Sequence, residues 1–268
     1  MSNKPLISYF NESLNQFSTQ LFIAGKELNS EAIHDFRVAY KQLDSIVAFL
    51  NYSLTDKDIS SIQNWLQQLN TIYRKGGKAR NYNVVLKIGT QLKIWEILPK
   101  TEIELLAKSK IHQEAFYQAV NNFKRPRKQI ITAQIKQLEQ NKNTPSLITS
   151  FIDQNIHHAI LILEQNPSEE WHKARKLIKH SFLLLEGLKN NKPLLFSDQL
   201  QILCGILEHD LGKWHDYIVF TKVLQKLSIE TDQLFEDIFT LVKNETEQYQ
   251  QKISVRIPLL KELANSMD

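Results

Sequence analysis

The stretch S-E-A-I-H-D-F-R-V-A-Y-K at Ser30–Lys41 recurs as S-E-E-W-H-K-A-R-K-L-I-K at Ser168–Lys179, at an offset of 138 residues. The two copies share serine, glutamate, histidine, arginine and lysine at matching positions, and their apolar positions keep the same register. A second pair follows in the same order: G-K-A-R-N-Y-N-V-V at Gly77–Val85 matches G-K-W-H-D-Y-I-V-F at Gly212–Phe220, at an offset of 135. Two matched blocks in one order predict an internal duplication.

The repeated stretch has the pattern of an amphipathic helix. Apolar residues follow a 3-4-3-4-3 spacing, typical of one buried helix face, at Ile33, Phe36, Tyr40, Leu43, Val47 and Leu50. We expect Ser30 and Ser168 to be the N-caps, each followed by a glutamate, Glu31 or Glu169, in the first turn.

Helical patterns continue through both halves. Stripes begin at Trp65, Leu69 and Ile72 and at Leu200, Leu203, Leu207 and Leu211, and Pro126 should kink or interrupt a helical segment at 102–139. With helices at Leu6–Leu28 and Leu147–Glu164 and a segment at 231–264, each half offers about four. We therefore predict an all-α fold of two tandem, internally duplicated four-helix bundles, over residues 1–142 and 143–268. The boundary falls in N-K-N-T-P-S at Asn141–Ser146, a polar stretch with a proline.

Composition supports long helices and excludes several classes of protein. The chain has 268 residues, 42% hydrophobic and 23% charged, and only seven glycines, where average usage would give roughly 19. The single cysteine, Cys204, rules out an internal disulfide and a cysteine-based zinc site. We find no signal-peptide pattern and no apolar run long enough to span a membrane, so we expect a cytoplasmic protein.

Basic residues form a row on each repeated helix. His34, Arg37 and Lys41 are spaced by three and four residues, so they share one helix face beside the apolar stripe. The second copy repeats this row and adds a lysine, at His172, Arg175, Lys176 and Lys179. If the halves are related by pseudo-two-fold symmetry, the two rows face each other and line a basic central groove.

The Gly-Lys blocks add further basic residues to this prediction. Between Asn70 and Trp95 the chain carries six lysines and arginines and no acid, whereas 230–247 is acidic, so the small net charge of +4 hides a segregated distribution. A further basic group at 124–128, which we place on the long helix near Pro126, is more typical of a solvated face. The block residues that we expect near the groove are Lys78, Arg80, Lys213 and His215.

A surface of arginine, lysine and histidine suits phosphate oxygens, because arginine offers bidentate donors and lysine a strong point charge. No motif that reads nucleic-acid bases is present, so nucleic acid would be a backbone-only ligand. A polyanion raises the pKa of a neighbouring histidine, so we expect tighter binding at about pH 6 than at about pH 8.

The two H-x-x-R-x-x-x-K helices, with the R-N-Y-N-V and H-D-Y-I-V blocks, resemble the CHAD domain, the conserved-histidine α-helical domain, over essentially the whole chain. This resemblance implies two four-helix bundles around a basic groove that binds inorganic polyphosphate. It also implies an association with polyphosphate granules. By position, the groove residues would be His34, Arg37, Lys41, His172, Arg175, Lys176 and Lys179, with Lys78, Arg80 and Lys213 as neighbours.

The chain also departs from the family pattern. Further arginines usual one turn after the Lys41 position are replaced by Gln42 and Asp44 in the first half and by His180 and Phe182 in the second. An Arg-Asp pair usual on the third helix is Arg-Asn at residues 80–81 and His-Asp at residues 215–216. We therefore expect a less basic groove than in a typical member, and weaker binding or a shorter ligand.

Two other classes of function remain open. One is a helical scaffold that binds protein partners and no polyanion. The other is a metal-dependent phosphohydrolase of the HD type, for which the candidate ligands are His180, His209, Asp210, His215, Asp216 and Asp237. Because no nucleophile–base arrangement stands out, we predict a binding protein that is not an enzyme and needs no metal or cofactor.

Overall fold

The computed structural model describes residues 5–27, 29–54, 56–165, 170–189, 198–226 and 233–265. Over these ranges the chain forms ten α-helices and no strand, which confirms the all-α class. None of the helices there is both long enough and apolar enough to cross a membrane. The helices are α1 (Pro5–Glu27), α2 (Ser30–Ser53), α3 (Asp56–Gln91), α4 (Ile94–Ile97), α5 (Pro99–Asn121), α6 (Gln129–Gln140), α7 (Thr144–Gln165), α8 (Trp171–Leu188), α9 (Asp198–Gln225) and α10 (Gln233–Asn265).

The N-cap of α2 lies one residue before the predicted one. Asn29 has extended backbone dihedrals, and its side chain accepts a hydrogen bond of 2.7 Å from the backbone N–H of Ala32. Asparagine caps a helix at least as well as serine does, so Ser30 is the first residue of the helix and its assignment as N-cap was wrong. The prediction for Ser168 and Glu169 lies outside the described residues.

The apolar stripes are buried as the periodicity predicts. All six stripe residues of α2, from Ile33 to Leu50, are at most 4% exposed, and the matching residues of α8, Trp171 to Leu188, are equally buried. Burial of each large apolar side chain contributes about 1.5–3 kcal/mol. These stripes therefore fix which faces of α2 and α8 turn inward, and with them the direction of the basic rows.

Pro126 interrupts the helical segment as predicted. Helix α5 ends at Asn121 and α6 begins at Gln129, with seven non-helical residues, 122–128, between them. The basic group at 124–128 thus lies in a loop and not on a helix, contrary to the prediction. Two of its members hold the loop against α1: Arg125 donates to Ser18 Oγ (2.6 Å) and Lys128 to Asn11 Oδ1 (3.1 Å).

The halves show the same order of helix contacts. In the first half α1 packs on α2, α2 on α3, α3 on α5, and α5 back on α1; in the second half α7, α8, α9 and α10 contact one another in the same cyclic order. The halves meet through α2 against α8 and α3 against α9. One continuous core contains residues of both halves, so they are packed as one body. The first half also has the short α4 and α6, more helices than the four predicted.

Candidate functional site

The predicted basic residues lie on the four helices by which the halves meet. Helices α2 and α8 carry the two repeated rows, and α3 and α9 carry the residues of the Gly-Lys blocks. Since α2 packs on α8 and α3 packs on α9, the contact between halves brings these helices together.

Seven of the eleven predicted residues influence one another's charge. Burial lowers the pKa values of Arg37, Lys41 and His215, and nearby cations lower them further. Arg80 and Arg175 act on Arg37 and on His215, and Lys179 and Arg175 act on Lys41. Like charges produce such shifts only at short range. We call these residues the basic cluster: His34, Arg37, Lys41, Arg80, Arg175, Lys179 and His215.

Arg37 is held against α3 by an aromatic side chain that the sequence analysis missed. Its Nη1 donates to the backbone oxygen of Tyr73 (3.0 Å), its Nη2 donates to Tyr73 Oη (3.1 Å), and the guanidinium carbon lies 4.1 Å from the ring centre. Tyr73 in turn stacks on Tyr40 at 4.0 Å. A Cβ on Gly77 would come within 2.6 Å of Nη1, so glycine allows the guanidinium to lie against the helix.

Arg175 occupies a comparable place against α9. A Cβ on Gly212, which matches Gly77 in the repeat, would lie 3.4 Å from its Nη2. The same nitrogen is 3.9 Å from an oxygen of Glu208, and Lys179 donates a hydrogen bond to that oxygen. Glu208 is thus a carboxylate within the basic cluster, and no prediction included it.

Lys41 lies beside this pair and makes no hydrogen bond or ion pair with the residues that the structure describes. Its burial, with the charges of Lys179 and Arg175, holds its pKa well below the ordinary value. Glu208 opposes this shift and does not outweigh it. The charged groups that interact with Lys41 are three cations, Lys179, Arg175 and Arg37, and two carboxylates, Glu208 and Asp44.

Arg80 and Asp216 form a bidentate ion pair between α3 and α9. The two hydrogen bonds are 2.8 and 2.9 Å long, and both side chains are at most 20% exposed. These two residues lie in different halves and at positions that the repeat does not match, because Arg80 corresponds to His215. A second pair also crosses between halves, where His180 Nε2 lies 3.2 Å from Asp44 Oδ2.

The histidines of the basic cluster are held in the neutral form. Burial and the charge of Arg80 lower the pKa of His34, although its side chain is exposed at the surface. Burial, together with Arg175, lowers the pKa of His215 to about 4. The basic surroundings thus disfavour a further positive charge in the free protein.

The other four predicted residues lie around the cluster. Lys176 is exposed on α8, and its charge contributes to the lowered pKa of Asp44. Lys78 is exposed on α3, and its charge adds to burial in lowering the pKa of His112 on α5. His172 is exposed at the start of α8 and interacts electrostatically with Glu170. Lys213 is half-buried on α9.

The His-Asp dyads of the metal hypothesis face cations. Asp216 binds Arg80, and Asp210 Oδ2 lies 3.0 Å from Arg256 on α10. Within the ranges that the structure describes, no group of three or more histidine, cysteine or carboxylate side chains is arranged to hold a metal ion.

The Arg80–Asp216 pair allows a direct test of the contact between halves. Asp216→Asn leaves Arg80 beside other cations without its counterion, so we expect the free energy of unfolding to fall by about 1–3 kcal/mol. Urea denaturation measures it, and added salt should reduce the loss because it screens the repulsion.

The control for this variant is Glu104→Gln, which breaks an exposed pair with Lys108 within α5. An exposed pair of this kind contributes only about 0.3–0.5 kcal/mol. Equal losses in the two variants would contradict the structural role of the Arg80–Asp216 pair.

Among solved structures, the chain is similar to the crystal structure of the CHAD domain from the plant Ricinus communis. The TM-score is 0.65 at 13% sequence identity, and the match covers 99% of this chain and 91% of that one. No protein-family model matches the chain, and neither does any curated protein. The chain therefore has the fold of a CHAD domain, as its repeated motifs predicted.

Proposed function

We propose that the basic cluster binds inorganic polyphosphate, or another phosphate-rich polyanion, without catalysis. The observation that carries this proposal is the excess of cations over carboxylates. Five lysines and arginines from α2, α3 and α8 lie within one another's fields, while three carboxylates among the described residues, Glu208, Asp216 and Asp44, supply opposite charge to them. Such an arrangement costs free energy in the unbound protein, and an anion relieves it.

A linear polymer of phosphates fits cations that are spread over four helices better than a single small anion does. Each arginine or lysine that contacts the polymer releases condensed counterions, so affinity accumulates over several contacts and depends strongly on salt. We propose the eleven predicted residues as the binding set, with the basic cluster at its centre and Lys78, His172, Lys176 and Lys213 at its edges.

We also propose that the two halves arose by duplication and that pseudo-two-fold symmetry aligns their basic rows along a central groove. Two observations support this. Each half has a cyclic order of four helix contacts, and each pairs a row arginine with the glycine of its own Gly-Lys block, Arg37 with Gly77 and Arg175 with Gly212. Residues 1–142 and 143–268 would be its two repeats, acting together as one binding unit.

Titration of the purified protein with long-chain polyphosphate at about 50 and 200 mM salt tests the function. We expect binding that weakens as salt rises and that exceeds binding of single-stranded DNA and of orthophosphate. Free phosphate is measured in parallel, with and without divalent metal. Absence of binding at low salt would leave the scaffold hypothesis, and metal-dependent phosphate release would favour the phosphohydrolase.

The pH dependence of binding follows from the histidines. Because the pKa of His34 lies below its ordinary value of 6.5 in the free protein and a bound polyanion raises it, binding takes up a proton. Affinity should therefore rise as pH falls from about 8 to about 6, by at most about ten-fold per pH unit for each histidine that takes up a proton.

The measurement is the affinity for polyphosphate at both pH values in constant salt. His34→Gln should flatten the dependence while it keeps a polar side chain at this position. Equal affinity of the unchanged protein at both pH values would remove the histidines from the binding role.

A further inference from the structure

We propose that Glu208 is a specificity-determining residue, which excludes short phosphate anions from Arg175 and Lys179 and leaves the basic cluster to long polymers. This inference rests on the proposed function and names the residue that selects among its ligands. It concerns a carboxylate that lies inside the cluster, where phosphate oxygens would otherwise bind.

The carboxylate of Glu208 already pairs with two cations of the basic cluster. Lys179 Nζ donates to its Oε1, and Arg175 Nη2 is 3.9 Å from the same oxygen. Only 18% of the Glu208 side chain is exposed. Burial by itself would raise its pKa, but the charges of Lys179 and Arg175 outweigh burial and hold the pKa below the ordinary value. Glu208 is therefore ionised at neutral pH.

The first half places a neutral group at the corresponding position. Tyr73 and Glu208 are related by the same offset of 135 residues as Gly77 and Gly212, and each lies four residues before its glycine. Tyr73 holds Arg37 with its ring, its hydroxyl and its backbone oxygen, so it brings no negative charge. The two halves thus hold corresponding arginines by different chemistry, and only the second half has a competing anion.

A phosphate that approaches Arg175 and Lys179 meets the negative charge of Glu208 at short range. For orthophosphate or tripolyphosphate this repulsion affects most of the contacts that the ligand can make there. A long polymer also reaches Arg37, which is held by the neutral Tyr73, and Lys41, on which Glu208 acts only through its field, so a smaller share of its affinity is lost. Specificity obtained by repelling the wrong ligand is common in binding sites.

The test compares tripolyphosphate with long-chain polyphosphate on the unchanged protein and on Glu208→Gln. The amide has nearly the same shape, can still accept a hydrogen bond from Lys179 and carries no charge. We expect roughly ten-fold tighter binding of tripolyphosphate, because a like charge at short range is removed. The gain for the long polymer should be several-fold smaller, so the preference for long chains falls.

The matched control is Glu164→Gln, which makes the same chemical change where Glu164 binds Lys261, between α7 and α10. It should change neither affinity by more than about two-fold, since exposed charges are screened by salt. Glu208→Ala is the second variant, and thermal unfolding shows whether each variant is folded before it is titrated.

Each outcome decides the proposal. No gain for tripolyphosphate, or equal gains for the two ligands, would overturn the role of Glu208 and leave polyphosphate binding in place. If the unchanged protein binds no polymer while Glu208→Gln binds tripolyphosphate, Glu208 excludes phosphate as proposed, and the proposed function is wrong. If neither protein binds any phosphate, both are wrong.

Discussion

Replacing Arg37 and Arg175 together by alanine is expected to weaken polyphosphate binding by at least about a hundred-fold at low salt. Each charge-assisted contact contributes about 1.5–3 kcal/mol, and this variant removes one from each half. The slope of log affinity against log salt should also become shallower by about two units, one for each lost cation. Isothermal titration at several salt concentrations measures both quantities.

A matched control separates site binding from general electrostatic attraction. Arg125→Ala with Arg127→Ala removes the same charge from the exposed loop between α5 and α6. We expect this variant to bind within about three-fold of the unchanged protein at moderate salt, because exposed distant charges are screened. Equal losses in the two double variants would show that any basic surface suffices, and the basic cluster would lose its role.

Replacing Gly187 by alanine is expected to lower the free energy of unfolding by about 2–3 kcal/mol. A Cβ at this position on α8 would lie 2.2 Å from the ring of Tyr9, which is 5% exposed and donates a hydrogen bond of 2.9 Å to the backbone oxygen of Leu183. The ring must move, which costs overpacking and the hydrogen bond. The gain in helix propensity, about 1 kcal/mol, offsets only part of this.

Thermal unfolding checks this prediction and also shows whether the two halves unfold together. We expect the melting temperature to fall by roughly 5–10 °C, in a single transition, because Tyr9 and Leu184 belong to one core that spans both halves. Two separated transitions would show that the halves unfold independently, and an unchanged melting temperature would contradict the packing of Tyr9 on α8.

Gly205→Ala is the matched control for this glycine. A Cβ there would meet one ring atom of Phe182 at 3.1 Å and the next at 3.5 Å, and Phe182 is only half-buried. The ring can shift by a few tenths of an ångström, so the cost is offset by the gain in helix propensity. We expect a change of less than about 1 kcal/mol.

Most of the helices could be predicted from the sequence, because helix periodicity is a local property. The stripe from Ile33 to Leu50 needs only its own spacing to define a buried face, and Pro126 ends a helix wherever the helix lies. The cap at Asn29 was missed because serine and asparagine cap equally well, and only the backbone dihedrals show which one does so.

The basic rows were predictable for the same reason. Arg37 and Lys41 share a helix face by their spacing alone, and the repeat at Arg175 and Lys179 indicated a second face of the same kind. The sequence by itself therefore determined the all-α class and the placement of the cations on helix faces, which depend on residues within a few turns of each other, and it determined the repeated blocks, which need only a comparison of the chain with itself.

Only the tertiary structure decided which side chains contact these cations. Tyr73 is 36 residues from Arg37, Glu208 is 29 residues from Lys179, and Asp216 is 136 residues from Arg80. Whether such residues meet depends on how α2, α3, α8 and α9 cross, which no local pattern records. The lowered pKa of His215 has the same origin, since its burial and the charges of Arg175 on α8 and Arg80 on α3 arise only when these helices pack together.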